Sequence, residues 1–267
     1  MIRKIAAASL LLLSFSAHAL PRPEHVVVVI EENRGHAEIM GHQDSYISEL
    51  AKRGMLFKRS YGVTHPSQPN YLALFSGSTH DVADDSCPQQ LTGDNLASSL
   101  MNNHMSFAIY SEGLPATGSL VCSAGAYQRK HNPAANWADL PANVSLPFGE
   151  FPEDYSKLPT VSFVVPDQNN DMHDGSFEAA DSWLKTHIAP YVEWANQHNS
   201  LLILTWDEDD FKGDNRIVTI LIGPMIKKGT SGQRIDHYNV LRTLLDLYGL
   251  QAIGNSRDTS PIKGVWR

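Results

Sequence analysis

The sequence predicts an α/β fold, a three-layer sandwich with a central, mainly parallel sheet. Three observations carry this. HVVVVI (residues 25–30), TVSFVV (160–165) and LLILTW (201–206) are apolar runs of strand length, rich in β-branched residues. Runs without polar alternation belong to strands buried on both faces, as parallel strands between two helical layers are. Helix-like segments alternate with these runs, which is the pattern of crossover connections. Each run is also followed closely by acidic residues, and ligands of such sheets bind beyond the carboxyl ends of the strands.

The elements follow in order. After the run at 25–30, residues 44–53 read as a helix and 55–60 as a short strand. Tyr71, Leu72, Leu74 and Phe75 give helical spacing to 67–75. An acidic residue opens a helix over 94–103, and 105–110 is a strand. From 113 to 159 Pro, Gly, Asn and Ala dominate; so long an irregular excursion in a compact domain is usually functional or disordered. The strand at 160–165 leads to a long helix over 176–197, interrupted before Pro190. Strands at 201–206 and 217–222 follow. An amphipathic helix over 237–248 is ended by Gly249.

Residues 1–19 have a basic start at Arg3 and Lys4, a short apolar core and a small-x-small ending, Ala17-His18-Ala19. This is the pattern of a secretory signal peptide, too short for a permanent anchor. The expectation is an exported protein, periplasmic or secreted, with one domain over 20–267. No other run is long enough to span a bilayer. The formal charge of −8 becomes −10 without Arg3 and Lys4, since 1–19 holds no acids. That balance argues against nucleic acid as a partner. An isolated cysteine pair in an exported protein predicts a disulfide between Cys87 and Cys122.

The chemistry is concentrated at strand ends. Glu31, Glu32 and Asn33 follow the first run. Asp167, Asp171, His173 and Asp174 follow the second, and Asp207 to Asp210 the third. Carboxylates brought together repel and raise one another's pKa unless a cation joins them. Oxygen donors suit Ca²⁺ or Mg²⁺, and added histidines admit Zn²⁺ or Mn²⁺. Near the same edge lies HPSQPNY, residues 65–71. Pro69 is tolerated in a first helical turn, so Ser67 sits at a helix start, near free N–H groups that attract anions. A serine there is either a helix cap or, beside a metal, a nucleophile for phosphorus. The three acidic strand ends favour the nucleophile, with Asn70 placed to donate to a phosphoryl oxygen.

"EEN", "HPSQPNYLALFSG", "NDMHDG", "TWDEDD" and "RIDHYNVLRTLLDLYGL" occur in that order. Together they resemble the secreted bacterial phosphoesterase family of acid phosphatases and phospholipase C-like enzymes, a branch of the alkaline phosphatase superfamily. The resemblance runs from about 24 to 250. It implies an alkaline-phosphatase-like fold and a metal-dependent acid phosphatase that cleaves phosphate monoesters through a phosphoserine. It implies Ser67 as nucleophile and metal contact, with Glu32, Asn33, Asp207 and Glu208 as metal ligands. Asp167, Asp171 and His237 are further metal candidates. His173 would act in the phosphate pocket, and Asn70, Lys130 and His131 would meet the substrate. His173 or His131 is the expected proton donor to the leaving oxygen. Glu32 and Glu208 stand where alkaline phosphatases have aspartate and histidine, an oxygen-richer set that suits a single ion.

Substrates in view are small phosphorylated molecules, including a phospholipid or phosphoinositide headgroup. The alternatives are a phospholipase C-type diesterase and a non-catalytic exported cation-binding protein. A sulfatase is disfavoured because neither cysteine begins C-x-P-x-R. Glu31 reads as the spare acid of its pair, and Asp209 and Asp210 as solvated loop charges.

Overall fold

The computed structural model describes residues 20–267; the signal-peptide expectation for 1–19 lies outside them. The chain opens with β1 (His25–Glu31), whose side chains alternate between two apolar layers. Val26, Val28 and Ile30 enter one layer, and Val27 and Val29 the other. A strand with no wet face needs apolar residues at every position, which explains the unbroken run. A short helix, α1 (His36–Gly41), precedes α2 (Tyr46–Arg53), and β2 (Met55–Tyr61) follows. Ser45 caps α2, accepting from the Ser48 N–H at 3.1 Å.

Next come α3 (Ser67–Ser76), α4 (Leu96–Met101) and β3 (Phe107–Ser111). The excursion is ordered: β4 (Ser123–Ala124) and β5 (Tyr127–Gln128) form a hairpin, 3₁₀ turns follow, and β6 (Ser145–Pro147) joins the main sheet. Cys87 and Cys122 are bonded, with Cα atoms 5.8 Å apart. After β7 (Val161–Val165) the expected long helix is two, α5 (Phe177–His187) and α6 (Ala189–Ala195), with Pro190 in the first turn of the second. Proline has no N–H to continue a helix but fits at its start.

The strand expected at 217–222 divides into β9 (Arg216–Ile217) and β10 (Thr219–Ile222), which follow β8 (Ser200–Trp206). Then β11 (Gly229–Asp236) runs into α7 (His237–Leu247). The spatial order is β11-β2-β10-β8-β1-β7-β3-β6, with β9 beside β2. Within this main sheet all pairs are parallel except those of β9 and β10.

Helices α3, α4 and α7 cover one face, through Tyr71, Phe75, Leu100 and Leu244. Helices α2, α5 and α6 cover the other, through Leu50, Leu184 and Tyr191. This is the three-layer sandwich. β1 lies in the middle, between β7 and β8 in parallel register, with Glu31 opposite Trp206. The carboxyl ends of these three neighbouring strands therefore reach the same edge. Among the described residues no helix is long and apolar enough to cross a membrane.

Candidate active site

The site forms where β1, β7 and β8 end. Glu32 lies one residue past β1, fully buried, and Ser67 is the first residue of α3. The Ser67 hydroxyl does not cap its helix. It donates to Glu32 Oε2 at 2.9 Å and lies 3.2 Å from Glu208 Oε1. The first-turn N–H of Gln68 donates to Asp85 Oδ1 at 2.9 Å, so one of the amides expected to face an anion is already taken.

Asp207 and Glu208 follow β8. Asp207 Oδ1 accepts from the N–H groups of Asn33 (3.2 Å) and Glu208 (2.6 Å), while Oδ2 is buried without a partner. Glu208 Oε2 lies 2.6 Å from His65 Nδ1. Burial pushes the Asp207 carboxyl up to about 7. Burial, with the charge of Asp207 behind it, pushes Glu208 up to about 9. Glu32 is raised well above the usual range by burial, then by Asp207 and Asp171. Burial is the larger cause throughout; the repulsion between carboxylates expected from the sequence adds to it at Glu32 and Glu208.

From the β7 side comes Asp171, buried, with Oδ1 accepting from the His173 N–H at 2.7 Å. His131, from the excursion, lies between two carboxylates. Its Nε2 is 3.1 Å from Glu32 Oε1 and its Nδ1 3.4 Å from Asp171 Oδ2, although none of these four atoms makes a well-directed hydrogen bond there. Burial, then Lys130 and His173, lowers the His131 pKa well below normal. A neutral imidazole has one N–H for two carboxylate neighbours. Its other nitrogen meets oxygen lone pair against lone pair, an arrangement that a shared cation resolves.

One ligand atom each from Glu32, His131 and Asp171 lie within 4.8 Å of one another, a geometry able to hold a metal ion. Asn33, at a left-handed φ of 50°, has a buried and unpartnered Oδ1, like Asp207 Oδ2. These orphaned oxygens fit the donor set of a hard or borderline divalent cation.

Other expected residues have different surroundings. Asn70 was expected to hold phosphate. Its Oδ1 accepts from the N–H groups of Val63 (2.9 Å) and Thr64 (3.1 Å), and its Nδ2 donates to the carbonyls of Thr64 (2.8 Å) and Pro66 (3.1 Å). It braces the loop before Ser67, and its Nδ2 also lies 3.4 Å from Glu208 Oε2, at the border of the site. His237, expected as a metal ligand, instead has Nε2 2.6 Å from the Asp207 carbonyl and steadies the end of β8. Asp167 lies outside the carboxylate group around His131. Its Oδ1 closes a turn, accepting from Asn169 N–H (3.0 Å) and Asn170 Nδ2 (3.2 Å).

His173 Nδ1 is 2.8 Å from Asp174 and its Nε2 is 3.3 Å from Lys130 Nζ. The ammonium can only donate, so Nε2 is the accepting nitrogen and Nδ1 carries the proton toward Asp174. Asp209 corrects the solvated-loop expectation. It is 2% exposed and accepts from the N–H groups of Phe211 and Asn215, both at 2.9 Å.

Three contributors went unassigned in the sequence reading. His65 bridges Glu208 and, at 3.3 Å, Asp209. Asp85 contacts Gln68 and Lys130. Gly62 packs so closely that a Cβ there would lie 2.7 Å from the Asn215 amide and 2.8 Å from the Asp207 carbonyl. His65, inside the HPSQPNY motif, was the one with a sequence signal.

A buried serine at a helix start thus faces carboxylates at the carboxyl edge of a doubly covered sheet, and the fold that carries them is that of the alkaline phosphatase superfamily. Solved structures support the fold. A superfamily protein from Vibrio parahaemolyticus superposes with a TM-score of 0.64 at 14% identity, over 92% of this chain and 73% of that one. The phosphonate monoester hydrolase of Silicibacter pomeroyi gives 0.59 at 11% identity, over 90% and 76%. The chain belongs to the Phosphoesterase family, whose model matches residues 43–251. It is 46% identical, over 94% of its length and 85% of the relative's, to a phosphatidylinositol-3-phosphatase of Mycobacterium tuberculosis (strain ATCC 25618 / H37Rv). It is 29% identical, over 79% of its length, to a phosphate-repressible acid phosphatase of Penicillium chrysogenum, of which it spans 56%.

Proposed function

We propose that the protein is an exported, metal-dependent phosphatase that hydrolyses phosphate monoesters through a phosphoserine on Ser67. The observation that carries this is the Ser67 hydroxyl, buried and directed at two carboxylates rather than at its own helix. A serine serving only as a helix cap has no need of either acid. Glu32, His131 and Asp171 would hold the cation, with Asn33, Asp207, Glu208 and Ser67 as the further donors of the expected set. When bound it would supply positive charge beside the hydroxyl and the phosphoryl oxygens.

The chain's own groups do the rest. Glu208 helps orient Ser67 Oγ, and Glu32, ionised when the cation is bound, accepts its single proton as the Oγ–P bond forms. The ester P–O bond breaks, and the Lys130 ammonium, hydrogen-bonded to His173 Nε2, would give the departing alkoxide its proton. Water then attacks the phosphoserine, freeing phosphate and restoring the hydroxyl. Phosphatase relatives favour the monoester reading over a phospholipase C-type diesterase. The mycobacterial relative's name brings a phosphoinositide headgroup forward among the substrates.

The test compares p-nitrophenyl phosphate with bis-p-nitrophenyl phosphate, for the wild type and Ser67→Ala, with and without chelator. Acid-quenched wild-type enzyme is then examined by mass spectrometry for phosphate on Ser67. Monoester turnover lost on chelation and on substitution, with modified Ser67 in the quenched sample, is expected. Diester preference would move the assignment to the diesterases. Turnover of neither ester with any of Ca²⁺, Mg²⁺, Mn²⁺ or Zn²⁺ would leave a cation-binding protein.

A further inference from the structure

We propose that Asp85 is a positioning residue that fixes the Lys130 ammonium beside the start of α3, where the phosphoryl group of the proposed reaction would lie; this rests on the phosphatase reading above. Asp85 comes from a loop outside the central sheet, yet it joins two parts of the site. Its Oδ1 accepts from the N–H of Gln68, the residue after the nucleophile, at 2.9 Å. Its Oδ2 accepts from Lys130 Nζ, also at 2.9 Å.

The loop is itself held on both sides of Asp85. The Gln68 amide Nε2 donates to the carbonyls of Asp84 (3.1 Å) and Ser86 (2.9 Å), and Gln68 is wholly buried. Two residues further on, Cys87 is bonded to Cys122, and the Cys122 carbonyl accepts from the N–H of Arg129, the neighbour of Lys130. The loop bearing the carboxylate and the segment bearing the ammonium are thus tied twice, covalently and by the ion pair.

The Lys130 side chain is 14% exposed. Burial already confines the stem, and Asp85 fixes the ammonium end, so less freedom is left to restrict when phosphate binds. Held by Asp85, the ammonium also reaches His173 Nε2 at 3.3 Å, leaving one of its three protons for an incoming oxyanion.

A cap for α3 would make the same bond to Gln68 with no need of Lys130, so the test separates the two. Asp85→Asn keeps an oxygen for the Gln68 N–H and removes the charge that holds Lys130. The readouts are kcat and KM for p-nitrophenyl phosphate, inhibition by inorganic phosphate, and the melting temperature. The expected result is phosphate inhibition and KM weakened about ten- to a hundredfold, the range for loss of a charged hydrogen bond, with a cooperative melt kept and its midpoint lowered only modestly, the disulfide still tying the two segments. In a Lys130→Met background, Asp85→Asn is expected to add less than about twofold, because its effect passes through Lys130.

Wild-type phosphate affinity in Asp85→Asn, tighter affinity, or an equal loss in the Lys130→Met background would each overturn the proposal. Tighter binding would mean that Asp85 mainly repels the substrate. Absence of turnover by the wild type would overturn the phosphatase reading and this proposal with it, a result distinct from any change among active variants.

Discussion

Chelated protein should lose stability as pH rises from 7 to 9, and a bound divalent cation should abolish that loss. Glu208 has its folded pKa pushed up to about 9 by burial and then by Asp207, against about 4.3 for an unfolded glutamate. An acid raised on folding stabilises fully below its unfolded pKa, and that contribution is lost as pH rises through the folded value. Glu32 and Asp171 are raised in the same direction, by burial first. Histidines oppose this at lower pH. His131 and His237 are lowered by burial, so below about 6.5 their unfolded forms bind protons that the folded forms refuse. Above pH 7 both states of these histidines are neutral and the acids act alone.

If the carboxylate group retains roughly one extra proton in the folded state, the slope is about 1.4 kcal/mol per pH unit. Two units then cost about 3 kcal/mol. For a domain of this size that lowers the melting temperature by about 6 to 12 °C. The assay is thermal melting followed by circular dichroism at pH 7, 8 and 9, in chelator and in Mn²⁺ or Mg²⁺, for the wild type and Glu208→Gln. The substitution should flatten the slope. A chelated protein whose melting point is level or rises across this window would refute the reasoning, as would a cation increment equal at pH 7 and pH 9.

Asn70→Ala should destabilise by about 3 kcal/mol, since it strands buried N–H groups in the loop before Ser67; urea unfolding measures this. Phe75→Ala should cost about 3 to 5 kcal/mol, because the ring is fully buried against Phe107, Trp137 and Phe163, and a loss below 1 kcal/mol in the same assay would contradict the packing described. Cys87→Ser should cost roughly 4 kcal/mol from the loop-entropy relation for cysteines 35 residues apart, read from the urea midpoint against the wild type. Ser67→Ala should cost about 1 to 3 kcal/mol in urea unfolding, since it caps nothing but donates to buried Glu32, while monoester turnover falls at least a thousandfold.

The three-layer sheet was legible because β1, β7 and β8 are buried on both faces and so must be apolar throughout. β11 was not, because GTSGQRID lies at the sheet edge with Ile235 its one buried residue, and its pairing with β2 is made by the backbone. Glu32, Asp207 and Glu208 were legible as acids directly after buried strands, a place where charge needs a reason. Glu31 lies outside the group formed by Glu32, His131 and Asp171. It is wholly buried with both oxygens unpartnered, raised by burial and then by Asp171, Glu112 and Asp181. The closeness of His131 to Glu32 and Asp171 had no local signal. It depends on where a ninety-nine-residue chain separation closes (32 to 131), and an irregular excursion carries no periodicity from which to read that closure. Asp85 was silent for the same reason.

The close approach at Gly62 has an outcome for any library of variants of this chain. The Gly62 N–H donates to the Asn215 carbonyl at 2.9 Å, and the Asn215 side chain reaches the Thr64 carbonyl at 2.9 Å. The loop before the serine and the loop after β8 are therefore bolted together with no slack. Even exposed Phe211 is tied to this block, since its ring stacks on His65 with centroids 4.0 Å apart. Selection for a new leaving group cannot tilt one loop without carrying the other, so serine and acids will travel as one block or stay where they are.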